Sequence, residues 1–262
     1  MSRKKGWVEA LLTKRDALEK VLGVPLGAML GCGHFGCVFD STPPWVVKFS
    51  IDPTEGPIWS KIVGLMKEER YGEGGFPEIK SITRILPDIP YGGRKKKVWA
   101  IVRESVAPVY KAGGDYTDFS LAKLGQLPGT GQFSKLGGGE VSDGKPLPVD
   151  FSDAIYGLAQ YQGAAREWHQ RHSDEIETKI ERILNRYFSG AIAGPLGESL
   201  SMLASNRVYL RDVHRGNIGW HVAEPGDGDD WDRLVVFDPG HTPTSKVTDI
   251  EEVLVANGRN AL

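Results

Sequence analysis

Tyr209-Leu210-Arg211-Asp212-Val213-His214-Arg215-Gly216-Asn217-Ile218 is the densest run of chemistry-bearing residues in the chain. It sets an aspartate and an asparagine five positions apart, with a glycine just before the asparagine, and that spacing fits a tight loop. Such an aspartate accepts or orients the proton of an attacking hydroxyl, and the asparagine carbonyl is a hard oxygen suited to Mg2+. Twenty-one residues further on, the apolar stretch Leu234-Val235-Val236-Phe237 ends in Asp238, with Pro239-Gly240 behind it. A carboxylate at the end of a strand is a natural second ligand for the same cation. Ile218 to Val222 and Leu234 to Phe237 then read as the strands of a hairpin, with Glu224 to Asp232 as a solvated acidic tip.

Toward the N-terminus, Gly31-Cys32-Gly33-His34-Phe35-Gly36-Cys37-Val38 fits the pattern G-x-G-x-x-G-x-V. In a dinucleotide-binding fold the last glycine opens a helix, whereas here it opens an apolar, strand-like segment. The context favours a glycine-rich loop whose backbone approaches phosphate oxygens, with Phe35 near the tip able to fold beneath it; an ordinary glycine-rich turn is the alternative. Lys48, ten residues after Val38 in Val46-Val47-Lys48-Phe49, lies on the returning strand, where an ammonium can neutralise phosphates if a carboxylate orients it. Glu55, at the start of the next helix, is the preferred partner; Glu68 and Glu69 lie farther along that helix and leave the pairing open. His34 is a candidate phosphate contact or a polar tip residue.

Glycine loop, strand lysine, Asp-x-x-x-x-Asn and strand-ending Asp occur in kinase order, and the chain resembles the protein-kinase-like superfamily. Leu30 to Phe35, Asp212 to Asn217 and Asp238-Pro239 resemble most closely the motifs of bacteriophage-encoded serine/threonine kinases. The loop Asp-x-His-x-Gly-Asn is also similar to that of aminoglycoside phosphotransferases. The resemblance implies ATP and Mg2+ as cofactors, Lys48 on the α- and β-phosphates, and Asp212 as catalytic base. It further implies His214 in the catalytic loop, Asn217 and Asp238 on the metal, and Glu104 to Val106 as the segment facing adenine. It implies an α+β, two-lobed fold with a β-rich N-lobe over 1–103 and a truncated, mainly helical C-lobe over 104–262. The acceptor is then a hydroxyl, of a protein or a small molecule, and a nucleotide-binding pseudokinase serving as an interaction module is the non-enzymatic alternative.

The sequence departs from the kinase pattern in places. Leu210 stands where a histidine usually precedes Arg-Asp, His214 replaces a lysine, and Pro239 replaces the Phe of Asp-Phe-Gly. Only 22 residues follow Gly240, too few for an activation loop and the usual later helices. Arg211 then lacks a phosphorylated loop to read, and a structural ion pair is its expected role.

Between these motifs, Cys37 to Phe39 and Trp45 to Phe49 read as a hairpin, Asp52 to Glu55 as a helix start, and Ile79 to Leu86 with Val98 to Val102 as two further strands. Arg94 to Lys97 reads as a solvated turn. Lys111 to Pro148 shifts to glycine, serine and short polar words and reads as a mobile insertion, while Phe151 to Phe188 returns to helical periodicity, carrying His169 and His172 as surface or packing residues. With 40% apolar and 25% charged residues and a net charge of -2, composition favours a soluble globular chain with no pull toward nucleic acid or anionic membrane. The two cysteines, Cys32 and Cys37, are expected as free thiols in a reducing cytoplasm, the host's for a phage-encoded chain.

Overall fold

The computed structural model describes residues 6–68, 74–111, 115–126, 149–221, 233–240, 242 and 251–254. The fold is α+β, and the chain divides into two compact units, one of Met1–Gly64, Glu78–Ser105 and Pro243–Leu262, the other of Leu65–Pro77 and Val106–Thr242.

The first unit is built on a sheet. Strands β1 (Met29–Cys32), β2 (Gly36–Asp40), β3 (Trp45–Ser50), β4 (Ile79–Tyr91) and β5 (Arg94–Glu104) pair antiparallel in the order β1-β2-β3-β5-β4. Cys37, Phe39, Val47 and Phe49 alternate toward one face and form a buried apolar row, and β3 is buried on its other face as well, with Val46, Lys48 and Ser50 there. Helices α1 (Gly6–Leu12) and α2 (Arg15–Leu22) supply the covering layer, with Trp7, Val8, Leu11, Leu18 and Leu22 in the same apolar cluster. Helix α3 (Glu55–Glu68) follows β3. Asp52 starts it with an Asx turn, its Oδ1 accepting from Thr54 N and Thr54 Oγ1 at 2.9 and 2.8 Å.

The second unit is mainly helical. After β6 (Val106–Pro108) and α4 (Asp118–Gln126) come α5 (Val149–Arg171), α6 (Asp174–Tyr187) and α7 (Gly190–Ser205). Strands β7 (Ile218–His221) and β8 (Leu234–Val236) complete a three-stranded sheet in the order β6-β7-β8. Phe151 of α5 stacks on Trp220 of β7 with centroids 5.6 Å apart, joining the helices to that sheet through rings that are both fully buried.

Several expectations are corrected. The β4–β5 turn is Gly92-Gly93, both at positive φ (60° and 76°), and Arg94 to Lys97 belong to β5, because two glycines in a row take the left-handed turn that side chains resist. The helical stretch after 150 is two helices. His172, at φ 41°, ends α5, and Ser173 caps α6 by accepting from Glu175 N. The insertion contains α4, so 118–126 are ordered; the remainder of the insertion, apart from Lys111 and 115–117, lies outside the described residues, as do the acidic tip 224–232 and Glu69. The division near 103 omits a crossing of the chain. Strand β9 (Glu251–Leu254) pairs parallel with β4, giving the outer strand of the first unit's sheet a partner that the expected C-lobe boundary assigned elsewhere. Finally, Cys32 and Cys37 are not free thiols. They face each other in the β1–β2 ladder and are joined by a disulfide.

Candidate active site

In the first unit, β1 and β2 form a hairpin whose tip is Gly33-His34-Phe35-Gly36. Gly33 N donates to Gly36 O at 2.8 Å, closing the turn, and Ile51 N donates to Phe35 O at 2.8 Å, tying the tip to the end of β3. His34 and Phe35 meet edge to face at 4.3 Å. Gly36 must be glycine for a steric reason: a Cβ there stands 2.7 Å from Phe49 O and 3.2 Å from Lys48 Cε. The lysine stem therefore runs directly under the last glycine of the loop. Val38 and Lys48 are register partners across β2 and β3, so the G-x-G-x-x-G-x-V run and the strand lysine are one hairpin apart.

The lysine partner is Glu55. Lys48 Nζ lies 2.6 Å from Glu55 Oε1, with side chains 8% and 2% exposed, and Glu68 stands at the far end of α3. Burial this deep makes the pair a committed one, since neither charge is solvated without the other. Gly56 holds the first turn of α3 in place, because any Cβ on it comes within 2.3 Å of the Trp99 ring. Glu104 belongs to this unit as well; its backbone N donates to Glu78 O and its carboxylate accepts from Glu78 N. Val106, in the second unit, pairs with His221 in the β6–β7 ladder.

In the second unit the run from Tyr209 to Asn217 crosses below α5 and closes in a 3-10 turn, Arg215–Asn217. Asn217 Nδ2 donates to Asp212 O at 2.8 Å and lies 3.5 Å from Asp212 Oδ2, which leaves the amide oxygen out of both contacts. His214 Nδ1 accepts from Gly216 N at 2.9 Å. The neutral imidazole consequently carries its proton on Nε2, and that nitrogen is 3.6 Å from Asp212 Oδ1. Asn217 and Asp238 stand at the same end of the β7–β8 ladder. Phe237 N donates to Asn217 O at 3.0 Å, next to the Ile218–Val236 pair, and Asp238 follows. Asp238 Oδ1 accepts from Gly240 N at 3.2 Å. Thr242 binds the two segments together, accepting from Arg211 N at 3.0 Å and donating to Pro239 O at 3.0 Å.

Three side chains of α5, none of them assigned a part in the site from sequence, latch the loop. Tyr161 hydroxyl accepts from Leu210 N at 3.2 Å, and burial holds that phenol well above its ordinary pKa. Arg166 Nε donates to Arg211 O at 3.2 Å, and its Nη2 is 3.7 Å from Asp212 Oδ1. His169 Nε2 lies 2.8 Å from Tyr209 O and donates there, since a carbonyl only accepts; partial burial lowers its pKa. The only signal in the sequence was their spacing of five and three on one helix. Leu210 is fully buried and serves the core. Arg211 makes no ion pair among the described residues; its backbone, not its guanidinium, is what the loop uses, which corrects the expected structural pair.

The donor set fits a hard divalent cation that shares its sphere with phosphate: one carboxylate and one amide oxygen at the end of a hairpin. No group of three or more His, Cys, Asp or Glu among the described residues is placed to hold a metal, and Mg2+ at phosphoryl-transfer sites needs only one or two protein carboxylates. No protein-family model matches the chain, and no curated protein matches its sequence. Among the described residues no helix is long and apolar enough to cross a membrane.

Proposed function

We propose that the chain is an ATP- and Mg2+-dependent phosphotransferase of protein-kinase-like fold, acting in the cytoplasm on a serine or threonine hydroxyl of a protein. The observation that carries this reading is the end of the β7–β8 ladder, where Asn217 and Asp238 are neighbours and Asn217 is hydrogen-bonded to Asp212. The buried Lys48–Glu55 pair beneath the glycine hairpin supports it. In this reading the first unit binds the nucleotide: loop amides and Lys48 meet the phosphates, Glu55 orients the lysine, and the segment Glu104–Val106 meets adenine. The second unit carries the transfer. Asp212 accepts the proton of the acceptor hydroxyl while its oxygen bonds to the γ-phosphorus, and the bond to the β,γ-bridging oxygen breaks, releasing ADP. Asn217 and Asp238 would hold Mg2+, which would supply positive charge to offset that of the phosphates. His214 and Arg166, both facing Asp212 Oδ1, orient the carboxylate.

A second reading, a small-molecule kinase, is favoured by one feature: a histidine, not a lysine, stands two residues after Asp212 and points Nε2 at its carboxylate. Incubation with γ-labelled ATP and Mg2+, alone and with cell lysate, separates the two by whether label appears on protein or on small molecules. Asp212→Ala is expected to lower transfer by ~10²–10⁴-fold, the usual contribution of a positioned base, and Asp238→Ala to lower it by removing the carboxylate assigned to the metal. Tight nucleotide binding with no transfer in wild type identifies an interaction module. Wild-type transfer unchanged in both variants overturns the assignment.

A further inference from the structure

The glycine hairpin carries chemistry that phosphoryl transfer does not use. Cys32 ends β1 and Cys37 is the second residue of β2; they are direct partners in the ladder, their Cα atoms 4.1 Å apart and their sulfurs bonded. These are the only two cysteines of the chain, and just Gly33-His34-Phe35-Gly36 lies between them. Their surroundings differ. Every residue of β1 is exposed, Cys32 included, whereas Cys37 is 2% exposed and sits in the apolar cluster with Phe39 and Phe49. The strand that Cys32 closes is also lightly held. It is an edge strand, it buries no side chain, and its register shifts between Met29 and Gly31.

We propose that Cys32–Cys37 is a reversible redox site that sets the order of the glycine-rich loop, with a dithiol as its reductant. The asymmetry of exposure dictates the direction of exchange. A thiolate of the dithiol attacks the accessible Cys32 Sγ and forms a mixed disulfide, and the bond to Cys37 Sγ breaks, leaving a Cys37 thiolate that takes up a proton. The second thiolate of the reductant then displaces Cys32, which is protonated in turn. Two electrons and two protons pass to the protein, and the dithiol leaves as its own disulfide; the same disulfide reverses the exchange. In the bonded state β1 is held to β2 covalently and the four-residue tip is pinned. In the dithiol state β1 keeps its ladder to β2, and the tip keeps the Gly33–Gly36 and Ile51–Phe35 hydrogen bonds, but no covalent tie remains, so 29–38 loosen while the remainder of the sheet, held by Val47, Phe49 and Val102 in the core, does not. The effect on nucleotide rests on the function proposed above: a pinned loop presents its amides already arranged, so the oxidised form binds ATP more tightly.

The test compares amide hydrogen exchange of the full chain before and after excess dithiothreitol, with alkylation and intact mass reporting the state of the cysteines. Exchange across 29–38 is expected to rise ~10-fold on reduction, with little change in β3 and β5, and to return with oxidised dithiothreitol. Cys32→Ser/Cys37→Ser is expected to exchange at the fast rate in both conditions; should it fail to fold, Cys32→Ser alone removes the bond and leaves the buried sulfur in the core. Two alkylated cysteines with unchanged exchange over 29–38 overturn the proposal, as does a pair that resists the dithiol in the folded chain. ATP affinity measured in both states separates this proposal from the function assigned above. Loosening with no ATP binding in either state sinks the phosphotransferase and leaves the redox site standing, whereas transfer activity with no loosening does the reverse.

Discussion

The two regions that carry the candidate chemistry are assembled in opposite ways. The loop-and-lysine region of the first unit is compact in sequence: Gly31 to Glu55 span a hairpin, one further strand and a helix start, and the ladder register alone puts Val38 opposite Lys48. Its geometry is enforced by backbone approach and one buried ion pair. The loop of the second unit is held by remote side chains, with Tyr161, Arg166 and His169 of α5 on one side and Thr242 on the other. Regions of the first kind fail when a Cβ or a charge is changed locally. Those of the second kind loosen when a distant latch is removed.

The largest effect that tests this contrast is at Lys48. Lys48→Met leaves Glu55 buried without its cation, at an expected cost of ~3–5 kcal/mol in urea unfolding. Adding Glu55→Leu is expected to recover most of that stability while nucleotide binding stays lost; a double variant as unstable as the single one shows that the pair is not what the hairpin rests on. Gly36→Ala comes next. Forcing a methyl against Phe49 O and Lys48 is expected to cost ~1–3 kcal/mol and to weaken ATP binding, whereas Gly31→Ala meets no atom within 4 Å and is expected to cost less. Equal effects at the two glycines contradict the steric account.

For the second region, Tyr161→Phe strips the buried Leu210 N–H of its acceptor, at an expected ~1–3 kcal/mol with nucleotide affinity kept. Loss of nucleotide binding in that variant, with the fold intact by circular dichroism, erases the distinction between local and latched regions. The smallest effect is at His169. Its pKa in the folded chain is lowered from the ordinary 6.5 by partial burial, so the unfolded chain binds the proton more readily. The stability it contributes is complete above pH 6.5 and is lost as pH falls through 6.5 toward the folded value. His169→Gln keeps an N–H for Tyr209 O and is expected to flatten the fall in urea midpoint between about pH 7.5 and 5.5; an unchanged slope assigns the acid sensitivity to other groups.

Legibility followed the same division. The hairpin, the start of α3 and the β7–β8 strands flanking Asn217 and Asp238 are readable because each is declared by periodicity, turn residues or capping chemistry within a few positions, whereas the choice of Glu55 over Glu68 and Glu69 as partner of Lys48 is open until the ion pair is seen. The breaks were harder. His172 interrupts what periodicity presents as one helical stretch, and Arg94 to Lys97 look like a turn until the two glycines before them are seen to take it. The cysteines are harder still: nothing within the glycine-rich run declares a bridge, and it is antiparallel pairing that puts position 32 opposite 37.

By itself the sequence determined the elements around the glycine hairpin, the start of α3, the strands β4 and β5 and the β7–β8 hairpin, and the residues bearing charge and hydrogen-bonding chemistry, because apolar spacing, glycines and caps act over one or two turns of chain. Only the tertiary structure decided which partners those residues take: β9 beside β4, the disulfide across β1 and β2, and three side chains of α5 on the loop that holds Asp212. Such contacts depend on how buried surfaces fit once the chain has closed on itself, and a ladder edge or a helix face accepts many candidates of similar local character until packing selects one.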